Sequence, residues 1–390
     1  LGEKLFSKKV FPPTSPQKEM KIAGIVVAAG YSSRMGRFKP LLELGEKTVL
    51  ERAVESLRQG GVEDVLVVGG HFFERLGPVL EKMRVDVVYN PIYEQGMFSS
   101  VVAGLKALLG KPAQFEAFFL LPGDIPLIRA RTIRELVREG KRSGAALVQP
   151  VFNGQAGHPP LIGAKCFESI LGGDSEDGLR GVLSKFAADK REVAVIDQGI
   201  LLDMDLPEDY EKLVRFYAGR EIPTAAECVA VLRKYQPNPK VLKHGQKVGS
   251  VGKAIAGLLN TEAGFDLNLD LIEAGGYLHD LAKGKHRHAR RGATLVSALG
   301  FPLLAPLVGL HMDLKFNGVI DETAIVFLAD KLAQGEKIVT ISERFDKALG
   351  KFAAQPEIEA LILERRQTAF TIFDQIADLV GRKRLQETLI

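Results

Sequence analysis

Cysteine is scarce in this 390-residue chain: only Cys166 and Cys228 occur, far apart and outside any CxxC pattern. That excludes a disulfide framework and a thiolate metal centre, and a reducing cytoplasm is the expected setting. Long apolar runs are also missing. AFFLLPGDIPLI and FPLLAPLVGL fall short of the roughly 18 residues that cross a bilayer, so no transmembrane helix and no membrane partner are expected. Nor is there an excess of one charge: 52 basic against 48 acidic residues leave +4, and no basic-aromatic interleaving suggests a nucleic-acid partner. The first 20 residues lack the apolar core of a signal peptide and are rich in Lys, Pro and Ser, so a flexible leader is expected there.

What is present describes a packed globular protein, 46% hydrophobic and 26% charged, too long for one ordinary core. Two domains are expected. From residue 21 to about 219, short β-rich runs (AGIVVAA, DVLVVGG, VDVVY, AFFLLP, AALVQPVF, EVAVID) alternate with helical patterns, which predicts parallel βαβ units. Thr48 and Glu51 stand at capping-box spacing before one such helix, and Gly60-Gly61 stops it. After AGREIPT, residues 218–224, helical periodicity takes over, with Thr224 and Glu227 repeating the capping spacing and PNP at 237–239 dividing two helices. Residues 220–390 are therefore expected to be all-α, ETAIVFLADKLAQ included. The helix from about residue 357 to 379 has the stripe of ordinary packing and is assigned no function.

The stretch GIVVAAGYSSRMGRFKPLL, residues 24–42, runs a buried strand into a loop bounded by Gly30 and Gly36. Such a loop lets the backbone approach a phosphate. It is not a Walker A loop, because no Lys-Ser or Lys-Thr follows the second glycine, but Arg34 and Lys39 together suit a polyphosphate. Asp124 follows the apolar strand of FFLLPGDIPLI, and Asp203 and Asp205 follow another apolar run. Carboxylates from separate strand ends can hold Mg²⁺ against a triphosphate. Pro207, Glu208 and Asp209 are read as a negatively charged first helical turn.

In their order, AAGYSSRMGRFKPLL, GMFSSVVAGL, LPGDIPL, GHP at 157–159 and DMDLPEDY make residues 21–217 resemble the MobA-like nucleotidyltransferases, most closely the molybdenum cofactor cytidylyltransferases. The resemblance implies a Rossmann-like, mostly parallel sheet and a triphosphate clamp of Gly30, Arg34 and Lys39. It further implies Asp124 as principal and Asp205 as second Mg²⁺ ligand, with Ser99 and Ser100 opening a helix that lines the nucleotide site. Ala28-Ala29-Gly30, in place of Ala-Gly-Gly, implies cytidylyl rather than guanylyl transfer. His158 would face the acceptor; its structural alternative is a histidine satisfied in a Pro-bounded turn. Where relatives carry Gly-Asp-x-Gly-x-Arg, this chain reads GGDSEDGLR: Gly178 and Arg180 align for acceptor binding, and Asp174 and Asp177 remain alternatives for the acid.

In the helical half, His244, His279-Asp280 and Asp330 fall on three helices, a nitrogen/oxygen set suited to a hard or borderline divalent metal. With Lys283 completing a His-Asp-x-x-Lys arrangement, residues 238–335 resemble the HD-domain metal-dependent phosphohydrolases. That resemblance implies Mn²⁺, Fe²⁺ or Zn²⁺ on those four ligands, catalytic support from Lys283, and His288 and His311 at a second metal. HRHARR, residues 286–291, also reads as a basic solvated loop, and His71, after two glycines at a strand end, as structural.

The implied activity is transfer of CMP from CTP to the terminal phosphate of a molybdopterin-type cofactor, with hydrolysis of a phosphate ester by the helical half. CTP and that cofactor are the implied partners, together with a molybdoenzyme or its maturation chaperone. The alternative is a sugar- or alcohol-phosphate acceptor with CTP or GTP as donor, the HD half serving as a metal or nucleotide sensor.

Overall fold

The computed structural model describes residues 20–173, 177–352 and 355–389. Asp174 and nearly all of the expected leader lie outside the described residues.

The first half is an open α/β sheet of eight strands. In spatial order its main path runs Lys190–Ala194, Leu147–Phe152, Leu161–Gly163, Ala117–Pro122, Ile22–Ala28, Asp64–Gly69 and Asp86–Tyr89, with Gln155–Ala156 paired beside Leu147–Phe152. The three central strands are apolar, two of them rich in Ile and Val and the third in Phe and Leu, as expected of strands covered on both faces, and they run parallel. Their registers place Ala28 beside Gly69 and Val27 beside Pro122. Everything that follows these strands therefore emerges at one carboxyl edge.

The sheet is mostly parallel, as expected, but the reading of its runs as parallel βαβ units needs one correction. Leu161–Gly163 runs antiparallel to both of its neighbours. The cause is local: Asn153 (φ 49°) and Gly154 (φ 88°) form a two-residue turn that folds Gln155–Ala156 back on Leu147–Phe152, and the chain returns without a crossover helix.

From Ala225 onward the chain is helical, with a second correction. The helix Glu322–Lys331 does not continue through Gln334; Ala333–Gln334 and Lys337–Ile338 form a small hairpin around Gly335, φ 62°. Glu322–Lys331 is the central helix of this half: every residue from Thr323 to Lys331 is buried. The long helix Pro239–Ala263 and Leu269–Leu278 pack closely, and Gly276 sits so near the Gly249 backbone that a Cβ there would lie 2.4 Å from it. The two halves share apolar core, for one cluster runs from sheet residues such as Phe119 and Leu161 through Cys228 and Val231 to Leu278, Phe301 and Val308. No helix among the described residues is long and apolar enough to cross a membrane.

Candidate active sites

At the carboxyl edge of the central strands, a pocket is lined by Ala28, Ala29, Gly30, Lys39, Ser100 and Asp124, all expected there, and also by Tyr31, Tyr93, Glu94, Gly96 and Met97. The loop after Gly30 is shaped by Ser32 and Gly36, both in left-handed conformation (φ 55° and 62°). Gly30 itself has no positive φ, contrary to the conformational freedom expected of it; a Cβ there would meet nothing within 4 Å, so its contribution is open space over the pocket floor.

Lys39 Nζ lies 3.2 Å from Asp124 Oδ2 and 2.8 Å from Asp205 Oδ1, and Arg34 Nη1 is 3.1 Å from Asp205 Oδ2. Asp124, just past the strand Ala117–Pro122, and Asp205, which follows the turn Gln198–Leu201 rather than a strand as expected, thus converge on a position that a cation already occupies. The Lys39 hydrogen bond, against the opposing effect of burial and with the charges of Lys39 and Arg34 adding to it, holds the Asp205 carboxyl below its ordinary value. Asp203 moves the other way: burial, then repulsion from Asp205 and Asp124, pushes it up, which marks it as the third acid in the same field. An all-oxygen pair meeting at a cation position fits Mg²⁺, which takes few protein ligands and leaves room for phosphate and water.

The serines divide. Ser100 lines the pocket, whereas Ser99 bonds the Ile92 and Gly96 carbonyls. Asn90, a residue sequence reasoning did not single out, is 1% exposed and donates to both serine hydroxyls at 2.8 and 3.0 Å. His158 lies in the electrostatic reach of Asp124 and Asp203; burial lowers its pKa, and its Nδ1 is buried without a hydrogen-bond partner among the described residues. Gly178, φ 56°, opens the short helix Gly178–Ser184, which carries exposed Arg180; neither lines the nucleotide pocket. His71 packs against Tyr31, Phe72 and Tyr93 at centroid distances of 4.8, 3.8 and 5.9 Å, forming an aromatic border to the pocket.

In the helical half, four imidazoles stand in a row, His244, His279, His311 and His288, with successive centroids 5.1, 4.9 and 5.2 Å apart. His244–His279–Asp330 and His279–Asp280–His311 each bring ligand atoms within 4.8 Å of one another. The sequence places two of these rings with economy. His279 and His311 each follow directly on a helix end, where terminal carbonyls lack partners. Their Nδ1 atoms lie 2.7 Å from the Gly276 and Val308 carbonyls, which fixes Nδ1–H as donor and turns a bare Nε2 inward. His279 Nε2 is buried with no hydrogen-bond partner among the described residues, 3.4 Å from Asp280 Oδ2 and 3.6 Å from Asp330 Oδ1. A lone pair aimed between two carboxylates fits a divalent metal ion.

Both acids are held ionised. Burial raises Asp280, but the neighbouring His279 and His311 rings and the charge of Lys283 outweigh it; burial raises Asp330, and Lys331, His244 and His279 reverse that. Lys283 Nζ is 2.5 Å from Asp280 Oδ2. His288 Nε2 is 3.3 Å from His311 Nε2 and 3.5 Å from Asp280 Oδ1, so the candidate second-metal pair adjoins the first group. Lys331 went unnoticed in the sequence: buried, it donates to the His311 carbonyl at 2.8 Å and Asp330 Oδ2 at 2.6 Å.

A phosphate loop, paired acids at the carboxyl edge of a mostly parallel sheet, and a separate His/Asp cluster on helices define a nucleotidyltransferase-type sheet domain joined to a helical domain whose buried cluster has the donor set of a metal site. Comparison with known proteins gives this class its family. Residues 24–192 match the MobA-like NTP transferase domain and residues 241–335 the HD domain. The chain is 30% identical over 186 residues to a molybdenum cofactor cytidylyltransferase from Escherichia coli K12, covering 48% of this chain and 92% of that protein. It is 33% identical over 128 residues to a probable molybdenum cofactor guanylyltransferase from Opitutus terrae (33% and 60% covered). Identity is also 33% over 156 residues to a bifunctional IPC transferase and DIPP synthase from Rubrobacter xylanophilus, of which the chain spans 34%. Among solved structures, a nucleotidyl transferase from Methanothermobacter thermautotroptrophicus matches with TM-score 0.44 and 23% identity, over 51% of this chain and 99% of that one. The chain belongs to the MobA-like nucleotidyltransferases and carries an HD domain after its transferase domain.

Proposed function

We propose that residues 21–219 transfer CMP from CTP to the terminal phosphate of a molybdopterin-type cofactor, and that residues 220–390 hydrolyse a phosphate ester. The observation that carries the first half is the meeting of Asp124 and Asp205 at Lys39, beside the Ala28–Gly30 floor. The relative named as a cytidylyltransferase, covered over 92% of its length, supports CTP as donor. Arg34 and Lys39 bind the triphosphate and offset its charge, and Ser100 and Gly30 border the nucleotide. An acceptor phosphate oxygen bonds to the α-phosphorus as the bond to the bridging oxygen breaks and pyrophosphate departs, so no protein nucleophile is needed. Mg²⁺ on Asp124 and Asp205, when bound, neutralises phosphate charge.

In the helical half, His244, His279, Asp280 and Asp330 would hold Mn²⁺, Fe²⁺ or Zn²⁺, with His288 and His311 at a second ion; such ions lower the pKa of bound water. Lys283 orients Asp280. Water supplies the new oxygen on phosphorus, and the ester oxygen leaves with its proton.

The test is pyrophosphate release with CTP or GTP, with and without molybdenum cofactor. Release from CTP that requires the cofactor is expected; release with a sugar or alcohol phosphate instead transfers the reading to that acceptor, which the likeness to the IPC transferase favours. Asp124→Ala should lower transfer by about 100-fold or more while leaving metal content and phosphatase activity of the helical half intact. Loss of both activities contradicts two separate sites.

A further inference from the structure

Glu94 joins Asp124 in lining the transferase pocket, yet it takes no part in the cluster around Lys39. Asp124 meets that lysine, whereas Glu94 enters no ion pair among the described residues. A carboxylate accepts hydrogen bonds and repels phosphate. On a pocket for a polyanion, it therefore has to face a part of the ligand that donates.

The turn Tyr93–Gln95, which carries Glu94, is held in place from two sides. Asn90 accepts the Ile92 N–H at 3.1 Å and donates to Ser99 and Ser100, so the segment between is tied to the helix Met97–Leu109. Gly70 lets Tyr93 pack down beside the pocket floor: a Cβ there would lie 2.6 Å from Tyr93 Cβ and 2.9 Å from Ala29 Cβ. The Tyr93 ring also meets that of Tyr31, on the loop after Gly30, with centroids 5.6 Å apart. The Glu94 carboxylate leans toward the same loop. It stands beside the Tyr31 hydroxyl, which burial and then this neighbouring charge push above its ordinary pKa.

We propose that Glu94 selects the base of the nucleotide, accepting a hydrogen bond from an exocyclic amine such as the 4-amino group of cytosine and repelling the 4-oxygen of uracil. The inference rests on the nucleotide-pocket reading of this half. Once the phosphates are set aside, the donors left on a nucleotide are the base amine and the ribose hydroxyls. The tyrosine rings beside Glu94 supply flat apolar surface, which suits a base better than a sugar. A carboxylate is a natural acceptor for the cytosine amine, and a group that repels the wrong ligand is what turns binding into discrimination. Guanine also carries an amine, so Glu94 bars UTP without separating CTP from GTP.

The test is calorimetric titration of CTP and UTP, which differ along one edge of the base, into the full chain with magnesium and without acceptor. CTP is expected to bind about tenfold or more tighter than UTP. Glu94→Gln offers both an acceptor and a donor at the same length, and it should bring the two nucleotides within about twofold, chiefly by tightening UTP. Its melting temperature should match that of the wild type, because Glu94 is exposed. A merely structural role would weaken both nucleotides together. Equal binding of CTP and UTP by the wild type, or a ratio that survives Glu94→Gln, overturns the proposal. So does a substitution that alters the preference for CTP over 2′-deoxy-CTP instead, which assigns Glu94 to the ribose. Failure of the underlying nucleotide reading looks different: neither nucleotide binds, or Lys39→Ala leaves their binding unchanged, and the proposal falls with it.

Discussion

His279 concentrates the chemistry of the helical half in one side chain. Its Nδ1 is committed to the Gly276 carbonyl, and its Nε2 is buried without a hydrogen-bond partner among the described residues, at a cost of about 1–3 kcal/mol when no ligand meets it. A metal that binds only the folded state repays this through mass action, by about 2.7 kcal/mol at 100 times its dissociation constant. Manganese should therefore raise the unfolding temperature of the wild type, and His279→Ala should abolish both the rise and the metal content measured by elemental analysis. Lys331 acts at the same scale, since it ties Asp330 to the carbonyl of His311. Lys331→Met should weaken metal binding without removing a ligand, and reduced manganese affinity with an unchanged ligand set checks this. The proposed ligands could be singled out in the sequence because the chain has only seven histidines and sets one of them in an adjacent His279-Asp280 pair. Lys331 and Asn90 were not, because a lysine in LADKL and an asparagine in YNP acquire their roles only from what tertiary structure brings beside them.

Among elements, the capping boxes show how one sequence signal can carry different weights. Glu51 accepts the Thr48 N–H at 2.7 Å and faces Lys82, which is 70% exposed, so removing it should cost about 1 kcal/mol. Glu227 has the same spacing, but it is fully buried and receives Thr224 N–H, Gln198 N–H and the Arg129 guanidinium together. Glu227→Ala strands Arg129 and should cost about 3–5 kcal/mol, measured by urea denaturation beside Glu51→Ala. Acid adds a sign. Burial opposes the shift of Glu51, yet Lys82 and Thr48 hold its folded pKa below the unfolded value. Its contribution is thus complete above the unfolded pKa and fades as pH falls through the folded one, so the Glu51→Ala deficit should shrink from pH 7 toward pH 3. The cap spacing was readable; the partner across the chain was not. The antiparallel strand Leu161–Gly163 is too short for alternation to show, although Asn153-Gly154 carried the hairpin signal in plain view.

At the level of the whole molecule, the change of sequence grammar near residue 220 does not coincide with a break in the core. Arg129 stands at the end of the segment that begins with Asp124, and it links three parts of the chain. Its N–H donates to Asp197, its guanidinium donates to the Arg220 carbonyl and pairs with Glu227, and it lies 4.8 Å from the Phe301 ring centroid. Arg131 reaches Tyr235 and the Ala298 carbonyl, and Lys234 reaches Glu135. Independent domains joined by a linker unfold in separate steps. Here apolar core and a buried ion pair cross the boundary, so calorimetry of the full chain should give one transition. Arg129→Ala removes the shared partner and should split that transition in two, the sheet half and the helical half melting apart. Two transitions already in the wild type would mean that the crossing contacts are too weak to couple the halves.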